Sequence, residues 1–336
     1  MTTSISSSSS EELKFYIHPQ ETISETLIPS LYEHLPYSNP IYSRMLAPHN
    51  TPSRHCLFAA TFPPHSPIPE LYTILFSDRS RKTESQIWVF NPLITPSYAQ
   101  PLSNEHASLL STHLKHALVF LKNTEIPQAP GFPFDPILKF ACLHEVITNS
   151  LTSLSSQTST STSTSISAPL IPYHTRWNLY LIRTAPTPNH PALPPPVSLT
   201  TSRVPASYLN LVISTSAIPR ERSTLLAQPS LCLLTPESEM VAWAFIGIDG
   251  MLATLYVLPS HRGLSLATYV ARELIRRFGL GEFADLGFSG SSGLVHSDVK
   301  EGNAGSEGVM KALGGKRSWE SSYLSVDCAV VDEVCG

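Results

Sequence analysis

Apolar residues recur with two different periods along this chain. CLFAATF (56–62), LYTILFS (71–77) and QIWVF (86–90) are short apolar runs bounded by Pro, Ser and charged residues, and they predict three strands. Ile23, Leu27 and Leu31 fall at helical spacing within 21–34. Leu109, Leu110, Leu114, Leu118 and Leu121 line one side of a helix over 105–122. Residues 137–147 predict another helix. In the second half, WNLYLI (177–182) reads as a strand, 206–214 and 220–227 as short helices, and SLCLLT (230–235) as a strand. A hairpin over 241–248 and 251–258 follows, then an amphipathic helix over 264–278. A strand over 293–299, a helix over 304–313 and a last strand over 322–331 end the chain. After the strand at 177–182 the order is ααβββαβαβ. The fold class this implies is α/β (α+β), a mixed, mostly antiparallel sheet flanked by helices.

One window imitates a membrane span. MVAWAFIGIDGMLATLYVLP (240–259) is long enough to cross a bilayer and carries one charge. Asp249-Gly250 stands at its middle, where a charge is costly in lipid. Asp-Gly between two apolar runs is instead a hairpin signal, through a type I′ turn with φ > 0 at both residues. The window therefore predicts two buried strands and no membrane partner.

Composition adds boundaries. The chain has 336 residues, which suggests roughly two domains. Charged residues make up 14%, against about 25% in an average soluble protein. The hydrophobic share of 42% is enough for packed cores. LTSLSSQTSTSTSTSIS (151–167) has little apolar area to bury and reads as a linker. The prolines of TAPTPNHPALPPPVS (184–198) enforce an extended path. The expected organisation is a disordered tail (1–12), a first lobe (13–150), a Ser/Thr-rich linker (151–169) and a second lobe (170–336). The Ser-rich start is acidic and lacks an apolar signal core, so the cytoplasm is the expected compartment. A net charge of −4 with no long Lys/Arg run argues against nucleic acid as a partner. Cys56, Cys142, Cys232, Cys328 and Cys335 have no zinc-type spacing and read as free thiols in a reducing compartment. His106, His113 and His116 have no motif carboxylate and read as a solvated helix face, so no metal is expected. Ser223 and Ser265 lack a nucleophile-elbow context.

The chemistry concentrates where a strand turns through Pro259-Ser260-His261-Arg262-Gly263-Leu264-Ser265-Leu266-Ala267 into a helix. Such a helix start leaves backbone N–H groups unpaired and carries partial positive charge. Small Gly263, Ser265 and Ala267 allow an anion close approach, and Arg262 adds a charge; together they suit a pyrophosphate. LYVLPSHRGLSLATYVARELI (255–275) and HSDVKEGNAGSEGVMKALGG (296–315) resemble motifs of the GNAT acyltransferase superfamily. ERSTLLAQPSLCLLTPESEMVAWAFIGIDG and the following LPSHR are similar to its glycine N-acyltransferase branch. The resemblance covers about residues 170–330. A fainter similarity in SLYEHLPYSNPIYSRM (30–45) extends it to the first lobe, as a degenerate copy of the same fold.

The resemblance implies tandem GNAT-like lobes and direct transfer of an acyl group, acetyl above all, from acyl-CoA to a small-molecule or peptide amine. Leu255, Tyr256 and Val257 would offer strand backbone groups to the pantetheine arm and thioester carbonyl. Arg262, Gly263, Leu264, Ser265, Leu266 and Ala267 would hold the pyrophosphate, and Asn303 the CoA arm. Ser265 replaces the motif glycine, which is tolerable if its φ is ordinary. Met251 stands where the branch has a catalytic Glu, and Met310 where many members have a Tyr acid. Three explanations stay open. Asp249, His261, His296 or Asp298 serves as base; the amine arrives partly deprotonated; or the domain binds acyl-CoA without catalysis. His296 and Asp298 alternate on one strand and so share a face.

Overall fold

The computed structural model describes residues 13–78, 84–125, 136–158, 168–185, 196, 198–216, 218–288 and 292–335. The chain runs twice through one order of elements. The first pass is β1 (Tyr16–Ile17), α1 (Ile23–Thr26), α2 (Ile28–Glu33), α3 (Asn39–Met45), β2 (Leu57–Ala60), β3 (Ile74–Ser77) and β4 (Ile87–Phe90), then α4 (Asn104–Asn123), β5 (Ile137–His144), α5 (Glu145–Thr158) and β6 (Tyr173–Arg183). The second is β7 (Thr200–Ser202), α6 (Leu209–Thr215), α7 (Arg222–Leu226), β8 (Ser230–Leu234), β9 (Met240–Ile246) and β10 (Leu252–Val257), then α8 (Leu266–Gly279), β11 (Leu294–Val299), α9 (Ala304–Ala312) and β12 (Lys316–Asp327), followed by α10 (Cys328–Cys335).

The sheets show how the two passes join. One has eight strands in the order β1-β2-β3-β4-β5-β12-β6-β11, and the other has four in the order β10-β9-β8-β7. Each pass gives its last strand to the other. β12 pairs with β5 from Ser321↔His144 to Asp327↔Ile137, and β6 pairs with β11 from Asn178↔Val299 to Arg183↔Leu294. β6 and β12 pair antiparallel with each other. The cores follow this exchange. Leu324 and Val326 of β12 and Val330 and Val331 of α10 complete the core of the first pass. Tyr180 and Ile182 of β6 complete that of the second.

Three sequence expectations change. Residues 137–147 form β5 and the start of α5, not one helix. β5 is flanked by β4 and β12 and buried on most of its length, so its apolar residues run together and hide the strand period. α5 continues through Thr158, because Ile147, Leu151 and Leu154 form an i, i+4, i+7 stripe buried in the first core. The linker expected at 151–167 thus begins as helix; residues 159–167, like the tail 1–12, lie outside the described residues. The last strand begins at Lys316, six residues early, and residues 328–331 belong to α10. The remaining predicted elements stand within a few residues of their expected bounds.

The hairpin turn also differs. Gly250 has φ 77, but Asp249 is not among the described positive-φ residues. Gly250 N–H donates to Gly247 O at 3.0 Å and Gly247 N–H to Met251 O at 2.7 Å. This is a type I turn closed by a left-handed glycine rather than type I′. No helix among the described residues is long and apolar enough to cross a membrane.

His113 is not on a solvated face. It is 3% exposed and shares a hydrogen bond of 2.9 Å with Thr73 Oγ1. Burial lowers its pKa to about 4. The unfolded chain therefore binds a proton more readily, so His113's contribution is fully present above pH 6.5 and is lost as pH falls towards 4. Denaturant titrations are expected to lose roughly 3 kcal/mol across that window from His113 and a like amount from His144, which burial also lowers to about 4, and His113→Gln to flatten the slope. A second expectation follows from the exchanged strands. A chain ended at Gly315 is expected to lose protected amides in β5 by hydrogen exchange, although β5 lies in the other pass.

Candidate active site

β10 and β11 run parallel but touch at one bridge, Met251↔His296. His296 N–H donates to Gly250 O at 3.3 Å, and Ser297 Oγ to Leu252 O at 3.2 Å. Beyond this vertex, among the described residues, no strand pairs with the β10 edge that faces β11. The cause is visible in β10. Its pairing with β9 slips between Ala253 and Tyr256, where Thr254 adopts φ 54. An extra residue bends a strand and re-aims its backbone groups. The strands open towards their carboxyl ends, where open α/β sheets hold ligands. Leu255, Tyr256 and Val257 lie on this free edge.

At the mouth, β10 leads through Pro259–His261 into α8. Gly263 has φ 79 and no atom near the place of a Cβ. Ser265 has φ 58, a left-handed conformation, and its side chain makes no cap hydrogen bond. The condition of an ordinary φ is not met: serine adopts the left-handed turn here at a cost. Among the described residues, no main-chain acceptor takes the N–H groups of Gly263, Leu264, Ser265, Leu266 and Ala267. Arg262 Nε donates to Val257 O at 3.2 Å, and the guanidinium lies 5.6 Å from the Tyr256 ring centre. Tyr256 stacks on the buried Trp243 at 5.0 Å. This stack fixes the arginine beside the loop. Asn303 caps α9 by accepting from Ser306 N–H at 3.1 Å, which leaves its exposed amide NH₂ at the opposite lip.

The equivalent junction of the first pass is built differently. Its loop from Asn91 to Ser103 holds Pro92, Pro96 and Pro101 and no glycine. Ser103 Oγ takes up His106 N–H at the start of α4.

At the vertex, a buried polar cluster joins the two passes. His296 is wholly buried, and its Nε2 lies 3.8 Å from Asp249 Oδ2. Cys142 of β5 sits between them, its Sγ 3.9 Å from Asp249 Oδ2 and 3.8 Å from His296 Nε2. Asp298 is 3.6 Å from the same sulfur, so His296 and Asp298 share a face. Tyr323 of β12 donates to Asp298 Oδ2 at 2.7 Å, and Ser321 donates at 3.4 Å. Asp298 Oδ1 is shut off from solvent and has no hydrogen-bond partner. Burial raises the pKa of Asp298, with His296 and the Tyr323 hydrogen bond opposing it. Burial and the neighbouring carboxylates hold the Cys142 thiol and the Tyr323 hydroxyl protonated.

Of the residues singled out in the sequence, Asp249, His296 and Asp298 meet at the vertex, while Arg262–Ala267 and Asn303 flank the mouth. His261 stays apart, bonded to Ser260 Oγ at 2.9 Å. Met251 lies under Tyr323, whose hydroxyl is 3.7 Å from its sulfur. Met310 is 2% exposed and packs in the second core, so it is a packing residue. Cys142, Tyr323 and Asn39 were missed. The alternation of Trp319, Ser321 and Tyr323 marks one strand face and is the signal that reaches Tyr323.

The family model of the acyl-CoA N-acyltransferase verG N-terminal domain matches residues 12–201, more than half of the chain. The chain belongs to the GNAT acyl-CoA N-acyltransferase superfamily. Among curated proteins, none matches it. An X-ray structure of a Drosophila protein is similar with a TM-score of 0.61 at 12% identity, over 94% of this chain and 99% of that one. At that identity the likeness shows the fold. A tandem GNAT protein from the clavulanic acid biosynthesis pathway matches with a TM-score of 0.45 at 12% identity, over 94% and 99% of the two chains. A GCN5-related N-acetyltransferase from Kribbella flavida matches with a TM-score of 0.43 at 14% identity, over 75% and 86%.

Ser265→Gly is expected to stabilise the fold by about 1 kcal/mol by relieving the left-handed serine. Thermal unfolding of the two chains reads the difference.

Proposed function

We propose that the protein transfers an acyl group, acetyl in the first instance, from acyl-CoA to a primary amine within a ternary complex. The carrying observation is the splay of β10 and β11 beyond their single bridge, which leaves the β10 edge unpaired beside the anion cradle of Gly263–Ala267. In this reading the N–H groups of Gly263–Ala267 and the side chain of Arg262 hold the pyrophosphate. The free edge at Leu255–Val257 holds the pantetheine, and a backbone N–H there polarises the thioester oxygen. Asn303 contacts the arm from the other lip.

The acceptor enters as an ammonium ion and meets Asp298 Oδ1. That oxygen takes a proton, the amine nitrogen bonds to the thioester carbon, and the C–S bond breaks. The CoA thiolate leaves and takes up the second proton that the amine nitrogen sheds as it becomes an amide. Tyr323 and Ser321 hold the other carboxylate oxygen and so aim Oδ1. Asp249 and His296 are deeper and bind each other and Cys142. The acceptor is a small molecule or a peptide amine. Five free cysteines support a reducing compartment such as the cytoplasm.

Met251, at the branch's carboxylate position, favours a second reading: a protein that binds acyl-CoA without turnover. Thiol release from acetyl-CoA with a panel of amines and amino acids separates the two. Asp298→Asn is expected to lower kcat by roughly 10²–10⁴-fold with CoA affinity unchanged. Arg262→Ala is expected to weaken CoA binding by roughly tenfold to a hundredfold. Tight CoA binding without turnover on any acceptor favours the second reading, and absence of CoA binding overturns both.

A further inference from the structure

We infer that Cys142, Asp249 and His296 form a zinc site at the vertex, with its fourth position open. Cys142 Sγ, Asp249 Oδ2 and His296 Nε2 are separated by 3.9, 3.8 and 3.8 Å. A point equidistant from three atoms so spaced lies about 2.2 Å from each, within the range of zinc bonds to sulfur, nitrogen and oxygen. All three residues are buried, and they come from β5, the β9–β10 turn and β11. Thiolate, imidazole and carboxylate together suit zinc; calcium and magnesium prefer oxygen donors.

Two further observations point to a cation. The cluster holds a buried carboxylate, Asp249, beside half-buried Asp298, yet among the described residues no lysine or arginine pairs with either. Carboxylates removed from water need a positive partner. His296 is also braced from behind: its Nδ1 lies 3.4 Å from the Asn39 amide, which Ser292 Oγ holds at 2.5 Å. A ligating histidine is oriented in this way through its second nitrogen. Metal at Nε2 puts the proton on Nδ1, and a half-turn of the Asn39 amide gives that proton its acceptor. Cys142 adopts φ 52, a strained conformation for a strand residue, and thereby aims its sulfur at the cluster. Zinc displaces the thiol proton to solvent, while the Tyr323 hydroxyl, 3.2 Å from the sulfur, keeps its proton on Asp298 Oδ2.

This site stands on ligand geometry and is independent of the acyltransferase reading. The test is metal analysis of the full chain purified without chelator, then stripped and titrated with Zn²⁺ or Co²⁺. The expected result is about one zinc per chain and, with Co²⁺, a near-ultraviolet thiolate-to-metal charge-transfer band. Cys142→Ser is expected to abolish the band, Cys232→Ser to keep it, and Asn39→Ala to weaken Zn²⁺ binding by roughly 10–100-fold. Circular dichroism checks that each variant is folded, and the wild-type band needs no variant. A folded wild-type chain that takes up neither metal, or a band that survives Cys142→Ser, overturns the site. Stripped protein that still binds CoA separates loss of this site from loss of the acyltransferase reading.

Discussion

The antiparallel pair of β6 and β12 holds the molecule together. It runs from Lys316↔Leu181 to Ser325↔Tyr173, and each strand closes the sheet begun by the other pass. Neither pass can then bury its core alone: the first lacks Leu324 and Val326, the second Tyr180 and Ile182. The exchange also makes the site. β5 leans on β12 and β11 leans on β6, so two strands separate Cys142 from Asp298. Across a flat sheet that interval is roughly 14 Å. The observed 3.6 Å requires a strongly coiled sheet, and the coil brings both passes to one vertex.

The cleft is the complement of that closure. Pairing β10 with β11 along their whole length would use the backbone groups that a ligand needs. The bulge at Thr254 prevents it, at the cost of one strained residue. Ser265 is a second strained residue, at the other end of the same segment. Both lie on the path from vertex to cradle, where strain holds backbone groups pointing outward. In the first pass the helix begins instead behind prolines and a serine that caps. Among the described residues, the second-pass junction turns through left-handed Gly263 and Ser265 and the first-pass junction does not.

What the sequence revealed follows from which interactions are local. Helix periods, the Asp-Gly hairpin and the small residues of 259–267 act over a few positions, and their elements lie where the pattern puts them. β5 failed because burial on both faces erased its alternation. The start of β12 failed because Lys316, Arg317 and Ser318 are exposed and polar, although their backbone pairs or borders β6. The site divided along the same line. Arg262, Gly263 and Asn303 belong to short motifs and were legible. Cys142 and Tyr323 lie 181 residues apart and meet through the strand exchange alone, which no spacing encodes.

The electrostatics of the vertex link its two proposed roles. The vertex sets two carboxyl groups, Asp249 and Asp298, around one imidazole with no lysine or arginine among the described residues paired to them. The two carboxylates are not equivalent. Asp249 lies against His296 and Cys142, donors that a metal can use together. Asp298 spends one oxygen on Tyr323 and Ser321 and keeps the other unpaired. A cation fixed at the first carboxylate leaves the second as the place for a mobile one, and an ammonium acceptor fits that description. The same arrangement suits a methionine at position 251. A third negative group there would lie beside Tyr323 and raise the charge without a partner, whereas a thioether fills the space beneath the hydroxyl.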